Sequence, residues 1–276
     1  MADVISAHSA ALPGRGPARW LWLRRYAILS FVAAFALWEA AVRFFEVAPY
    51  LLPPPSTILL ELAARWPRVL DGAIITTQEI IAGYLLAIVV SVPLALLITY
   101  SRVLESTLYP MIVFLQIIPK IAIAPLFIIW FGFGFTPKLL LVFLLSFFPI
   151  VVSSIAGFKS LDPDVMDLAR STGASEWLMF RKIRLPQALP SIFTGLKVGA
   201  ALAATAAVVA EFVASNRGLG YLLLEYNGNL ETAMVFAVVL VLSAIGLLVY
   251  YAVELLEKLA IPWHVSHRSA EQAGML

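Results

Sequence analysis

The chain has 276 residues, 62% of them hydrophobic and 13% charged, with a formal net charge of +2 and no cysteine. Its mean hydropathy is +0.93. Disorder, a disulfide scaffold, a typical cytosolic enzyme and a nucleic-acid binder are excluded, because a soluble fold of this size cannot hide so much apolar surface and so small a charge does not hold phosphates. An all-α polytopic membrane protein remains.

A bilayer core about 30 Å thick takes about 20 apolar residues per helix. Six stretches meet this: Tyr26–Phe45, Ile74–Tyr100, Leu104–Phe131, Pro137–Phe158, Leu189–Ala214 and Ala233–Leu256. Residues 1–25 form a basic lead with Arg15, Arg19, Arg24 and Arg25. The apolar stretch after it is long for a signal peptide and ends without a small-residue cleavage site, so it reads as a permanent span. An outer loop, 46–73, follows. Its prolines Pro53, Pro54 and Pro55 stop any helix, and Ser56 is placed to cap the next one. Ile58, Leu59, Leu62, Ala63 and Trp66 then share a helical face, which predicts a short helix on the outer surface. The third span is interrupted by Pro110, Pro119 and Pro125 and reads as two half-helices with an irregular joint. Such a joint is tolerated only inside protein or along a water-filled cavity.

Between the fourth and fifth spans lies the longest inner loop, 159–188. Asp162-Pro163 suits the cap and first position of a helix, and Gly173 suits a left-handed end. A second short helix from Ser175 has to end before Pro186. Arg181, Lys182 and Arg184 occupy its last turn. The product is a helix–glycine–helix elbow that shows Trp177, Met179 and Phe180 beside basic side chains. Two readings fit: an amphipathic element on the membrane surface, or a plug for a groove on a soluble partner. The chain closes with an outer loop, 215–232, the sixth span and a tail, 259–276, with His264 and His267.

Placing the N-terminus inside puts twelve of the 19 Lys and Arg on inner segments, four outside and three within spans. Inner loops carry the excess of positive charge, so both termini are expected in the cytoplasm.

The elbow reads Asp167-Leu168-Ala169, three residues, Gly173, nine residues, Ile183, one residue, Leu185-Pro186. This resembles the EAA motif, E-A-A-x3-G-x9-I-x-L-P, of the membrane subunits of ATP-binding-cassette (ABC) importers. Every spacing matches; Asp167 stands for Glu and Leu168 for Ala. The likeness covers roughly residues 50–262. Pro53-Pro54-Pro55-Ser56 is similar to the P-S-P-S segment of nitrate/sulfonate/taurine-type permeases, and Ala124-Pro125-Leu126 to Gly134 is similar to their A-x-P-L…W-F-G-x-G run. Val209-Ala210-Glu211 with Gly218-Leu219-Gly220-Tyr221 is similar to their V-A-E…G-L-G-Y segment.

The resemblance implies a type I importer permease in a bacterial inner (plasma) membrane, with residues 26–258 as the six-span domain. The elbow is then the coupling helix, carried by Asp167, Ala169, Gly173, Ala174, Ser175, Trp177, Ile183, Leu185 and Pro186. The implied partners are two ATPase subunits, a second permease subunit (another copy of this chain), a periplasmic binding protein and the lipid bilayer, without nucleic acid. ATP and Mg are expected on the ATPase and no cofactor on this chain, which lacks a G-x-x-x-x-G-K-[ST] loop and any catalytic constellation. Similar permeases handle nitrate, alkanesulfonates, taurine and pyrimidine precursors of thiamine, and Lys120 tilts the expected small solute towards an anion.

Ionisable groups within the spans keep a second reading open, an autonomous ion-coupled carrier. Glu39 and Arg43 are spaced to neutralise each other. Glu79 is expected to reach outer water, and Lys197 to snorkel inward or contact the elbow. Lys120 either faces an anionic solute or satisfies carbonyls freed by the prolines. Gln116, Lys120 and Glu211 are the candidates for the translocation pathway, with packing or capping as the other role for Gln116 and Glu211. His264 and His267 lack further ligands for a metal.

Overall fold

A computed structural model describes residues 17–263. Arg15, His264 and His267 lie outside the described residues. Helix α1 spans Pro17–Phe44 and α2 spans Pro55–Ala64. The first long apolar helix, α3, runs Trp66–Tyr100. α4, Arg102–Ile117, and α5, Ala124–Phe131, flank a tight turn at Lys120–Ile123. α6 spans Phe135–Lys159. α7, Pro163–Ser171, and α8, Glu176–Met179, make the elbow. A widened π turn, Phe180–Arg184, leads into α9, Leu185–Ala214. α10, Leu219–Gly228, and α11, Thr232–Ala260, complete the described chain. Every element among the described residues is helical.

By length and composition, four helices among the described residues are fit to cross a membrane, and a fifth span is added if the bent pair α4 and α5 counts as one. The first expected span falls on α1.

The centre is α6, held between α3 and α9. Water does not drive helices together inside lipid, so close backbone approach and interhelical hydrogen bonds have to do it. The sequence supplies both. Ala200, Ala203, Ala206, Ala207 and Ala210 form the buried face of α9. A Cβ on Gly83 of α3 would lie 2.6 Å from Val142 Cβ, and one on Gly195 of α9 would lie 2.6 Å from Ser153 Cβ. Tyr84 donates to the Leu196 carbonyl at 2.7 Å, and Ser146 to the Gly199 carbonyl at 3.1 Å. Gly83→Leu is therefore expected to lower the stability of the purified protein by about 1–3 kcal/mol or more through overpacking. A thermal melt in detergent checks it, and a surface change such as Ser106→Ala serves as the silent control.

Several boundaries differ from the sequence reading. α3 begins at Trp66, not Ile74, because Pro67 fits the first turn and the helix continues outward past the apolar run. Of the five residues expected on one face of the outer helix, Ile58 and Leu62 pack against the core, while Leu59 and Trp66 stay exposed. Ser56 does not cap α2; its N–H and hydroxyl both donate to Glu39 of α1, at 3.0 and 2.8 Å, so the Glu39 carboxylate sits at the α2 N-terminus. Pro110 is absorbed within α4 and Pro125 lies in the first turn of α5. The break falls at Pro119, where the chain turns by 86°. The outer loop 215–232 is not all loop. Its Leu219, Leu222, Leu223 and Tyr226 recur at helical spacing and bury as one face of α10.

Candidate functional site

Two sites stand out: the elbow at one end of the helices and a buried polar cluster at the other.

The elbow folds as its sequence directs. Asp162 accepts the Asp164 N–H at 3.0 Å to cap α7. Gly173 has φ of +76°, a left-handed conformation that glycine adopts without steric cost. The Ser175 hydroxyl accepts the Leu178 N–H at 3.3 Å to cap α8. Arg170 reaches Asp167 at 3.2 Å and Glu176 at 3.6 Å, so one guanidinium ties both arms. The structure corrects the expectation that α8 stops before Pro186. The helix carries on through the π turn, where the Leu185 N–H bonds the Phe180 carbonyl five residues back. That wider turn gives the proline ring the room an ordinary α-turn denies it.

The exposed face is also narrower than expected. Met179 is buried and Phe180 half-buried, with the Phe180 ring against Tyr100 at 6.4 Å. Trp177 remains 69% exposed and Leu168 67% exposed. Asp167, Gly173 and Ser175 are exposed around them, Ala169, Ala174, Ile183, Leu185 and Pro186 half-buried. The arms thus present an apolar pair, Leu168 and Trp177, in a setting of charges.

The pathway candidates part company. At the bend, the Lys120 ammonium donates to the Gln116 carbonyl at 2.6 Å and lies 4.5 Å from the Phe148 ring centroid. Gln116 lies in the last turn of α4, whose carbonyls lack helical N–H partners, and the ammonium supplies a donor there. Gln116 is exposed beside it. Glu211 is far from both in sequence and fully buried. Its Oε1 accepts the Thr76 hydroxyl at 2.6 Å, and its Oε2 accepts the Gly220 N–H. This is the packing-and-capping alternative.

Glu79 does not reach water. It is fully buried and ion-paired with Lys138 of α6, itself only 6% exposed. Lys138 also donates to Ser215 at 3.1 Å. Lys197 does not snorkel either; it pairs with the buried Glu257 of α11. A buried charge needs a partner, and each found one on a neighbouring helix. Sequence reasoning missed Lys138 and Thr76. The signal was present in the spacing of Thr76 and Glu79, one helical turn apart on α3. At the same end of the helices, Arg65 joins Glu231, whose hydrogen bond raises the guanidinium pKa above its ordinary value, and Arg68 grips both Glu225 oxygens at 2.7 and 2.8 Å.

Comparison with known proteins agrees with these features. Residues 61–261 match the family described as binding-protein-dependent transport system inner membrane component. The chain is 34% identical to the formylaminopyrimidine transport permease protein ThiX of Halalkalibacterium halodurans, over 85% of this chain and 94% of that protein. It is 31% identical to the taurine transport system permease protein TauC of Escherichia coli, over 89% of this chain and 94% of that one. It is 32% identical to the riboflavin transport system permease protein RibX of Chloroflexus aurantiacus, over 83% and 86%. In fold it is similar to a chain of the MetNI methionine ABC transporter, solved in inward-facing conformations, with a TM-score of 0.59 and 17% identity over 71% of this chain and 98% of that one. The chain therefore belongs to the binding-protein-dependent transport system inner membrane components and is the membrane-spanning permease of an ABC importer rather than an enzyme.

Proposed function

We propose that the elbow is the coupling helix, seated in a cleft of a separate ATPase, and that two copies of this chain with two ATPases form the importer. In this reading α1, α3, the bent pair α4–α5, α6, α9 and α11 are six spans, both termini are cytoplasmic, and a periplasmic binding protein delivers the solute to the opposite face. The residues that meet the ATPase are Asp167, Ala169, Gly173, Ala174, Ser175, Trp177, Ile183, Leu185 and Pro186. The observation that carries this is the exposed pair Leu168 and Trp177 on two arms fixed by Arg170, a shape suited to a groove. Nucleotide then biases a two-state rearrangement of the spans through this contact. ATP and Mg belong to the ATPase.

The solute is small and of the taurine or sulfonate class, the reading supported by the relatives named for taurine and aliphatic sulfonates. The relatives named for formylaminopyrimidine and riboflavin support a heterocyclic solute as the second reading. Gln116 and Lys120 are proposed at the pathway's bend, where the ammonium holds the bent backbone. An autonomous ion-coupled carrier is disfavoured, because the family is binding-protein-dependent and the buried ionisable groups pair off as Glu79 with Lys138 and Lys197 with Glu257.

Reconstitution tests the assignment. Liposomes holding this chain, its ATPase and its binding protein are expected to take up taurine, an alkanesulfonate or formylaminopyrimidine only when ATP is supplied. Uptake by the chain alone under an imposed ion gradient would overturn it.

A further inference from the structure

The elbow end of the helices carries cations that the described residues do not neutralise. Arg102 opens α4, and Arg181, Lys182 and Arg184 occupy the π turn before α9. The carboxylates near them are taken: Glu105 pairs with Lys159, Asp167 and Glu176 with Arg170, Glu254 with Lys258, and Glu257 with Lys197. Helix dipoles do not account for these cations either. Arg102 stands at the positive end of α4, where a cation is unfavourable. The other three lie within a helix that runs on into α9, so no helix C-terminus faces them.

Arg184 is fixed but unused. Its guanidinium carbon lies 4.7 Å from the centroid of the Tyr100 ring, and the Phe180 ring packs on the same tyrosine. Contact with a ring positions a guanidinium without consuming its N–H donors. Arg184 makes no hydrogen bond to another described residue. Depth along the helices fits a membrane surface. Tyr100 ends α3 and is exposed, as are Leu97 one turn before it and Val103 after it. A tyrosine at the end of an apolar span marks the headgroup level. Arg102 follows two residues later, and Arg184 directly precedes Leu185, where α9 begins. The four cations therefore lie where lipid phosphates lie, with apolar side chains beside them for the acyl chains.

We propose that Arg102, Arg181, Lys182 and Arg184 bind the headgroup of an anionic phospholipid, with Tyr100 as the platform that orients Arg184. The free guanidinium edge of Arg184 donates to the phosphate, and the other three cations add attraction. The orientation proposed above makes this the cytoplasmic leaflet. The site itself depends neither on that orientation nor on the ATPase.

Native mass spectrometry of the full chain, given equal amounts of phosphatidylglycerol and phosphatidylcholine, reads the site without ATPase or solute. Wild type is expected to retain phosphatidylglycerol preferentially. Arg184→Gln and Arg102→Gln are each expected to weaken that retention about fivefold, the scale of one cation near an anionic surface. Tyr100→Phe keeps the ring and is expected to keep wild-type selectivity, while Tyr100→Leu is expected to approach Arg184→Gln. A thermal melt of each variant checks that it is folded. Excess inorganic phosphate is expected to leave the lipid in place; displacement would reveal a site for a free anion and overturn the proposal. Equal retention of the two lipids by wild type overturns it too, as does unchanged selectivity in both arginine variants. An arginine variant that captures less ATPase yet keeps wild-type lipid selectivity would assign these cations to the ATPase instead. Failure of ATP-driven uptake leaves the lipid readout untouched, so the two assignments fall separately.

Discussion

Gly173→Leu is expected to cut ATP-driven uptake about 5–150-fold while the chain inserts and melts almost as wild type does. Uptake in the reconstituted system measures the first effect, and membrane fractionation with a thermal melt the second. The separation follows from the geometry. Gly173 sits at φ of +76° and a Cβ there would meet nothing within 4 Å, so the chain itself has room for the side chain. The local penalty is the left-handed backbone, about 1–2 kcal/mol, confined to a turn outside the helix core. What changes is the angle between α7 and α8, and with it the fit of Leu168 and Trp177 to the proposed ATPase groove. A coupling free energy is typically about 1–3 kcal/mol, which sets the size of the expected loss. Wild-type uptake by Gly173→Leu would show that the elbow is not the coupling element.

Lys138→Met carries the largest expected loss of stability. It removes the one ammonium beside Glu79, whose side chain is 1% exposed. Stranding a buried charge costs about 3–5 kcal/mol, far more than the exposed ion pairs of this chain contribute. Chemical or thermal denaturation of the purified variant reads the loss. The double change Lys138→Met with Glu79→Gln is expected to restore most of it, since the charge on Glu79 is removed together with that of its partner. A single variant as stable as wild type would refute the pairing.

The elbow was legible because its signals are local. Asp162-Pro163, Gly173 and Ser175 each act within a turn, and the structure places caps and a left-handed glycine at those positions. A break in the third span was legible for the same reason, but not which of its three prolines makes it. The fates of Glu79, Lys138 and Lys197 were not. Each is decided by a partner on another helix, more than 50 residues away, and only packing brings the two together. α10 was missed because its apolar face, Leu219, Leu222, Leu223 and Tyr226, is too short to announce a span and lies behind a glycine-rich start. Pro186 misled in the opposite sense: the widened turn before it lets the helix pass where local rules call for a stop.

That uninterrupted passage has a mechanical result. From Glu176 to Val213 the chain is one rod of 38 residues. At about 1.5 Å per residue the rod is about 57 Å long, so each degree of tilt at one tip displaces the other by about 1 Å. Trp177 stands near its first turn and Glu211 in its last. A push on Trp177, as the proposed ATPase contact would supply, is therefore carried to the Glu211 end by the stiffness of one helix.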